Sequence, residues 1–343
     1  MSKKKSPLEI FLESIGLYFS NFDKFVRYMT FPVLGQVLGI SLVFALTYFF
    51  IKHFSILTQK VPALNEPSNF LIVLLALIMP GMIIFLRAFW EYLVAYGAIN
   101  SMLENMLKSG KVYDFDAHTE LVERRRIPFV GLWALFAIFS LIALIPFFWV
   151  PCAVLAIYFV LVFQVFTYEP DLSPIGCVKR SLELIKGHFL STFMLLALVG
   201  ALTYVLIPQL TNLFCDYTRI TMLFTNIVTP VVSELPINDF NKFLSYLYMQ
   251  PIKLNDVALF VVTTSIAQIF IQYTLPLRSI LWAMWYKELN GGKLGLVSQD
   301  SKNKKRKNIK RPSEKLMEES HKKFTSKKLD RNLLKRAMEK DED

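Results

Sequence analysis

An all-α, polytopic membrane protein is the fold class this sequence predicts, on three observations. Six apolar stretches are long enough to cross a bilayer, basic residues fall on alternate connections, and much of the remaining charge is gathered in the last sixth of the chain. The stretches are 29–51, 70–97, 127–146, 150–168, 189–209 and 257–280. A helix needs about 20 mostly apolar residues to cross the hydrocarbon core. Lipid accepts only a backbone that satisfies its own hydrogen bonds, and these runs are too long for barrel strands, so each is expected to be a helix. Hydrophobic residues make up 54% of the 343 and charged residues 19%, too little polar surface to cover a soluble core.

Residues 1–28 form the N-terminal segment. Ser6-Pro7-Leu8-Glu9 reads as a capping box with proline at the first helical position. The helix it opens, over 7–22, sets Leu8, Phe11, Leu12, Ile15, Phe19 and Phe22 along one side. It is expected in the cytoplasmic interface, turning into the first span near Phe31-Pro32. A cleavable leader would place a short apolar core nearer the start, so the first span is expected to stay.

The membrane domain covers 29–286. Its connections alternate in charge. Lys3, Lys4, Lys5, Lys24 and Arg27 precede the first span, while 52–69 holds Lys52 and Lys60 against Glu66. Lys108, Lys111 and Arg124-Arg125-Arg126 fall in the third segment, and the turn from Pro146 to Pro151 is uncharged. Lys179, Arg180 and Lys186 follow the fourth span, and the outer loop 210–256 balances Arg219, Lys242 and Lys253 with four acids. Basic residues stay on the cytoplasmic side of short loops, so both termini are expected in the cytoplasm.

Two amphipathic helices are expected besides the spans. One, over 174–187, is opened by Ser173-Pro174 and closed by Gly187; the other, over 237–249, lies in the outer loop. Cys152, Cys177 and Cys215 are odd in number and far apart, with no metal-ligand spacing, so neither a metal nor a cofactor is expected. The chain has no GxxxxGK[ST], HExxH or GxSxG motif.

Polar residues within the spans are the candidate functional groups. Arg87 and Glu91 are four apart and share a helix face, so they can pair as a packing device or line a polar path. Gln268 and Gln272 repeat that spacing in the sixth span; Gln36 and Gln164 are isolated. Interhelical hydrogen bonds are the ordinary use of such amides in lipid.

Residues 287–343 hold 18 Lys/Arg against 10 Asp/Glu, so +8 of the chain's +11 lies there. Lys304, Lys305, Arg306, Lys307, Lys310 and Arg311 form its densest run. Such a segment draws anionic head groups, and a protein partner is a second expectation. Nucleic acid is not expected, because the run lacks the spaced aromatics of a stacking platform. Self-association is left open.

Tyr168-Glu169-Pro170-Asp171-Leu172-Ser173-Pro174, followed by Arg180-Ser181 and Lys186-Gly187, resembles a group of bacterial integral membrane proteins. That group is related to the membrane domain of glycerophosphodiester phosphodiesterases and to YciC-like proteins. Leu275-Pro276-Leu277 and the aromatic exit from Trp282 to Tyr286 extend the likeness. The resemblance implies a six-helix membrane domain and no transferred enzyme activity. A non-enzymatic, structural or assembly role in the inner membrane is therefore expected. The alternatives are a permease for a lipid or small molecule, with Arg87, Glu91, Gln268 and Gln272 on its path, and a lipid-metabolism enzyme.

Overall fold

The computed structural model describes residues 5–112, 115–234, 237–292 and 294. Of the basic segment 287–343, residues 287–292 and 294 are described and the rest lies outside the described residues, which belong to one compact unit ending at Leu294. Every regular element among the described residues is helical. Six helical segments have the length and apolarity to cross a membrane, so the all-α polytopic architecture stands.

The chain opens with α1, Pro7–Ser20, whose capping box forms as read: Glu9 N–H donates to Ser6 Oγ at 3.2 Å and Ser6 N–H to Glu9 Oε2 at 2.8 Å. This helix has two apolar faces. Ile10, Ser14 and Tyr18 are buried against the protein, while Leu8, Leu12 and Phe19 stay exposed on the side meant for lipid.

The turn into the first span comes at Asn21, ten residues earlier than expected. Asn21 stops α1 because its side chain ties the joint down, donating to Leu17 O and Gly110 O and accepting from Val112 N–H at 2.9 Å. Pro32 instead lies inside α2, Phe22–Lys52, where neighbouring helices allow a membrane helix to tolerate a lost backbone donor.

After the short α3, Phe54–Lys60, the second span α4 runs unbroken from Pro67 to Ser109. At 1.5 Å per residue its 43 residues extend about 65 Å, twice the hydrocarbon thickness. Residues 98–109, expected as the start of a loop, continue the helix. Ala98, Ile99, Asn100, Met102, Leu103 and Met106 are buried by neighbouring elements rather than left to water.

Helix α5, Phe115–Glu123, folds back on α4, and α6, Arg126–Ala143, forms the third span. The fourth is a 3₁₀ turn at Pro146–Phe148 followed by α7, Trp149–Phe159, and α8, Val162–Tyr168. Helix α9, Pro174–Ile185, is the expected short amphipathic element. The fifth span combines α10, Phe189–Gly200, a π-helical turn at Ala201–Leu206, and α11, Ile207–Tyr217.

The outer loop is largely helical. It contains α12, Ile220–Val232, and α13, Ile237–Tyr246, which meet at 87° and together have the character of a broken span or re-entrant hairpin. Counted as a span, the pair would make seven. The sixth span, α14, Leu254–Tyr273, ends before the expected residue 280. A break at Thr274 starts α15, Leu275–Leu289.

Two packing arrangements position everything else. On α2 and α4 the backbones touch: a Cβ at Gly39 would lie 2.5 Å from Phe85 N and 2.7 Å from Gly81 O. At the end of the bundle where the described chain begins and ends, α15 is buried along most of its length by α1, α4, α8, α9 and α14. Lys5 N–H donates to Glu288 Oε1 at 3.1 Å, so the two ends of the described chain meet on one side of the bundle.

Replacing Gly39 with valine is expected to force the two backbones apart and to cost about 1–3 kcal/mol, the usual penalty for overpacking. Unfolding of the full chain in mixed micelles measures it; an unchanged midpoint would contradict the backbone contact.

Candidate functional site

The densest polar arrangement among the described residues is built around α15 where α8 and α9 join. Glu169, just past α8, accepts from Arg180 Nε at 3.0 Å and from the Tyr286 hydroxyl at 2.9 Å. Arg180 also donates to Asn290 Oδ1 at 3.2 Å. The Tyr168 ring stacks on Tyr286 with centroids 5.1 Å apart, and its hydroxyl donates to the Asn100 carbonyl. Burial and then the Glu169 charge push the Tyr286 hydroxyl well above the ordinary phenol range, so it stays a donor.

One layer deeper, Gln164 Nε2 donates to Asn100 Oδ1 at 3.2 Å and lies 3.4 Å from the Tyr96 hydroxyl. Asn100 Nδ2 and Gln164 Oε1 are buried and have no partner among the described residues, a donor and an acceptor of the kind one enclosed water satisfies. The network links four helices through hydrogen bonds and offers no nucleophile with its base. The hydroxyl–imidazole pair, Ser101 Oγ and His118 Nδ1 at 2.6 Å, lies between α4 and α5. Ser101 also donates to Ala98 O at 2.8 Å, so the contact fastens α5 to α4. No group of three or more His, Cys, Asp or Glu among the described residues can hold a metal ion. Cys177 is buried, which pushes its thiol up to about 11.

The residues singled out from sequence are scattered. Arg87 Nε does pair with Glu91 Oε1, at 3.2 Å, but the two side chains are 74% and 39% exposed on the outside of the bundle. Arg87 lies 20 residues past Pro67, about 30 Å along α4, a distance equal to the thickness of a hydrocarbon core. Gln36 bonds back to Pro32 O at 2.7 Å within its own helix. Gln268 is exposed, and Gln272 is half-buried with Oε1 unpartnered among the described residues, so they do not share one lining.

The short cytoplasmic-type helix fares better. Ser173 caps α9 by accepting from Gly176 N–H at 3.2 Å, and Pro174 is its first residue. Arg180 and buried Ser181 face inward, Ser181 donating to Tyr158 O at 2.6 Å. Lys186 lies just past the helix, and Gly187 takes the positive φ of +85° that reverses the chain. Lys304, Lys305, Arg306, Lys307, Lys310 and Arg311 lie outside the described residues.

No protein-family model matches the chain, and neither curated proteins nor solved structures give a match.

Arg278 is a polar residue near the sixth span that was not among the candidates read from the sequence. It is half-buried and reaches Tyr204 at 2.8 Å, Tyr92 at 3.3 Å and the Ile271 carbonyl at 3.5 Å. Its Nε has no partner among the described residues. The π turn carries Tyr204, and only folding brings these elements together; an arginine four residues into α15 was the available signal. Two openings flank the bundle. A cleft of about 450 Å³ is lined by Trp90, Glu120, Glu123, Arg124 and Arg126. A larger cavity of about 610 Å³ opens at the start of α14, among α11, α12 and α14.

A double-mutant cycle on Glu169→Gln and Arg180→Gln is expected to give a coupling of about 0.5–3 kcal/mol, because the pair is three-quarters and two-thirds buried. Chemical unfolding of the four proteins in one detergent reads it; simple additivity would remove the pair from the framework.

Proposed function

We propose that the protein is a non-enzymatic integral membrane protein with a structural or assembly role in a bacterial inner membrane, both termini facing the cytoplasm. The observation that carries this reading is how the interior is filled. Phe129, Trp133, Phe136 and Phe163 form one continuous aromatic contact, with Trp133 and Phe163 centroids 4.5 Å apart. The Arg87–Glu91 pair faces outward instead of lining a passage. Such packing supports a protein that holds a shape and presents its surfaces.

Charge supports the orientation. Lys24, Arg124, Arg125 and Arg180 belong to the end of the bundle where α1 and α15 meet, the side on which basic residues are retained. The resemblance to the membrane domain of glycerophosphodiester phosphodiesterases and to YciC-like proteins supports a six-helix membrane platform. On this platform the Lys-rich tail engages anionic head groups or an acidic protein. The cavity of about 610 Å³ favours a second reading, a permease-like protein for a small molecule.

Two measurements separate these readings. Removing residues 301–343 is expected to leave the unfolding midpoint of the bundle unchanged while co-purifying proteins and anionic lipids are lost in mild detergent. Replacing Arg87 with alanine is expected to cost no more than about 1 kcal/mol, as for an exposed pair. Solute uptake by the reconstituted full chain that is lost in Asp256→Asn protein would overturn the assembly reading in favour of the permease.

A further inference from the structure

We infer that the cavity among α11, α12 and α14 is a binding site for a small organic ammonium solute. This inference rests on the local architecture of the outer hairpin and stands apart from the assembly role.

Helix α12 is built inside out relative to a helix on a water-soluble protein. Thr221, Thr225 and Thr229 recur every four residues and line the cavity together with Met222 and Pro230, while Leu223, Phe224 and Ile227 are exposed and do not line it. A helix that turns its hydroxyls inward and its large apolar groups outward is suited to lipid outside and a polar cavity within. The 87° joint with α13 gives the hairpin the geometry of a re-entrant segment, tolerated at membrane depth where it borders such a cavity.

The lining is rich in acceptors. Asp216, at the end of α11, and Asp256, in the first turn of α14, present two carboxylates, and neither is in an ion pair among the described residues. Thr225 and Thr229 give their protons to the carbonyls of Thr221 and Thr225, both at 2.7 Å, so each hydroxyl oxygen is left to accept from the cavity. Thr221 is 5% exposed and its Oγ1 has no partner among the described residues, a buried polar group that calls for one. Arg219 is the one cation of the lining, against two carboxylates, and Asn226 and Asn255 complete its polar part.

A ligand matching this lining carries more donors than acceptors and at least one positive charge. The cavity volume of about 610 Å³ lies within the range of small-molecule sites. An alkylammonium chain with a second polar end meets both conditions: its ammonium reaches the aspartates and its other end the hydroxyl row.

Putrescine is the probe, and 1,4-butanediol is its uncharged counterpart of the same length. Isothermal titration into the detergent-solubilised full chain is expected to show saturable putrescine binding at one site, and none by the diol at equal concentration. The isosteric Asp216→Asn/Asp256→Asn double variant is expected to weaken putrescine at least tenfold, and Thr221→Val severalfold, with the unfolding midpoint as the folding check. Absence of saturable putrescine binding would overturn the inference. So would equal affinity of the double variant, or diol binding as strong as that of the diamine. Should the double variant fail to fold, Asp256→Asn alone carries the same test.

Discussion

Hydrocarbon tails cover a leucine as well as another leucine does, so apolar burial alone gives two membrane helices little reason to meet. Every helix contact in this protein therefore needs some other source of preference. The chain uses two. Between α2 and α4 it removes side chains altogether, so that Gly39 and Gly81 let the backbones touch and dispersion acts over a long, close seam. Around α15 it supplies aromatic surfaces and hydrogen bonds whose partners are fixed one by one. Ser14 and Tyr18 from α1, Tyr96 from α4 and Glu169 from the α8–α9 joint each bond to α15 or to the residues just before it.

The same constraint separates what the sequence made legible from what it hid. Spans are visible because hydropathy is a property of one segment at a time, and all six regions were found that way. The capping box at Ser6 and the turn at Gly187 were equally local, each needing only neighbours in the chain. Helix α4 past residue 97 was hidden for the opposite reason. Asn100, Ser101, Glu104 and Asn105 look like a loop leaving the membrane, but Asn100, Ser101, Met102 and Leu103 are buried where α5, α8 and α15 pack on α4. The surroundings of the aromatic exit from Trp282 to Tyr286 were hidden in the same way. In the fold these residues are almost completely enclosed by the helices packed around α15.

The two ends of the bundle differ in a way that comes from packing. Around Glu169 and Tyr286, polar side chains find one another, and among the described residues a buried donor at Asn100, a buried acceptor at Gln164 and Arg278 Nε are left over. At the start of α14, hydroxyls, amides and carboxylates point into open space and find no ion-pair partner among the described residues. A stabilising network satisfies its own groups, whereas a binding surface must keep some unsatisfied until its ligand arrives. Satisfaction of polar groups thus supports reading the first region as framework and is the ground for the binding site proposed at the second.

Arg87 and Arg278 show how far location decides the meaning of a charge. Both sit in long apolar surroundings, and sequence spacing favoured Arg87 because Glu91 lies one turn away. That local acid is what makes Arg87 ordinary: the pair cancels itself at the surface, where solvent and head groups screen it further. Arg278 has no such neighbour. Its charge is met instead by two phenol oxygens and one carbonyl, and among the described residues no carboxylate joins them. Neutral acceptors spread over α4, the π turn and the end of α14 neutralise less charge than a carboxylate would, but they fix position in three directions at once. A π turn adds one residue to a helical loop and so rotates every side chain beyond it, which is the adjustment needed to turn Tyr204 toward α15. The irregular backbone of the fifth span and the unpaired arginine beside the sixth are thus one feature seen from two helices.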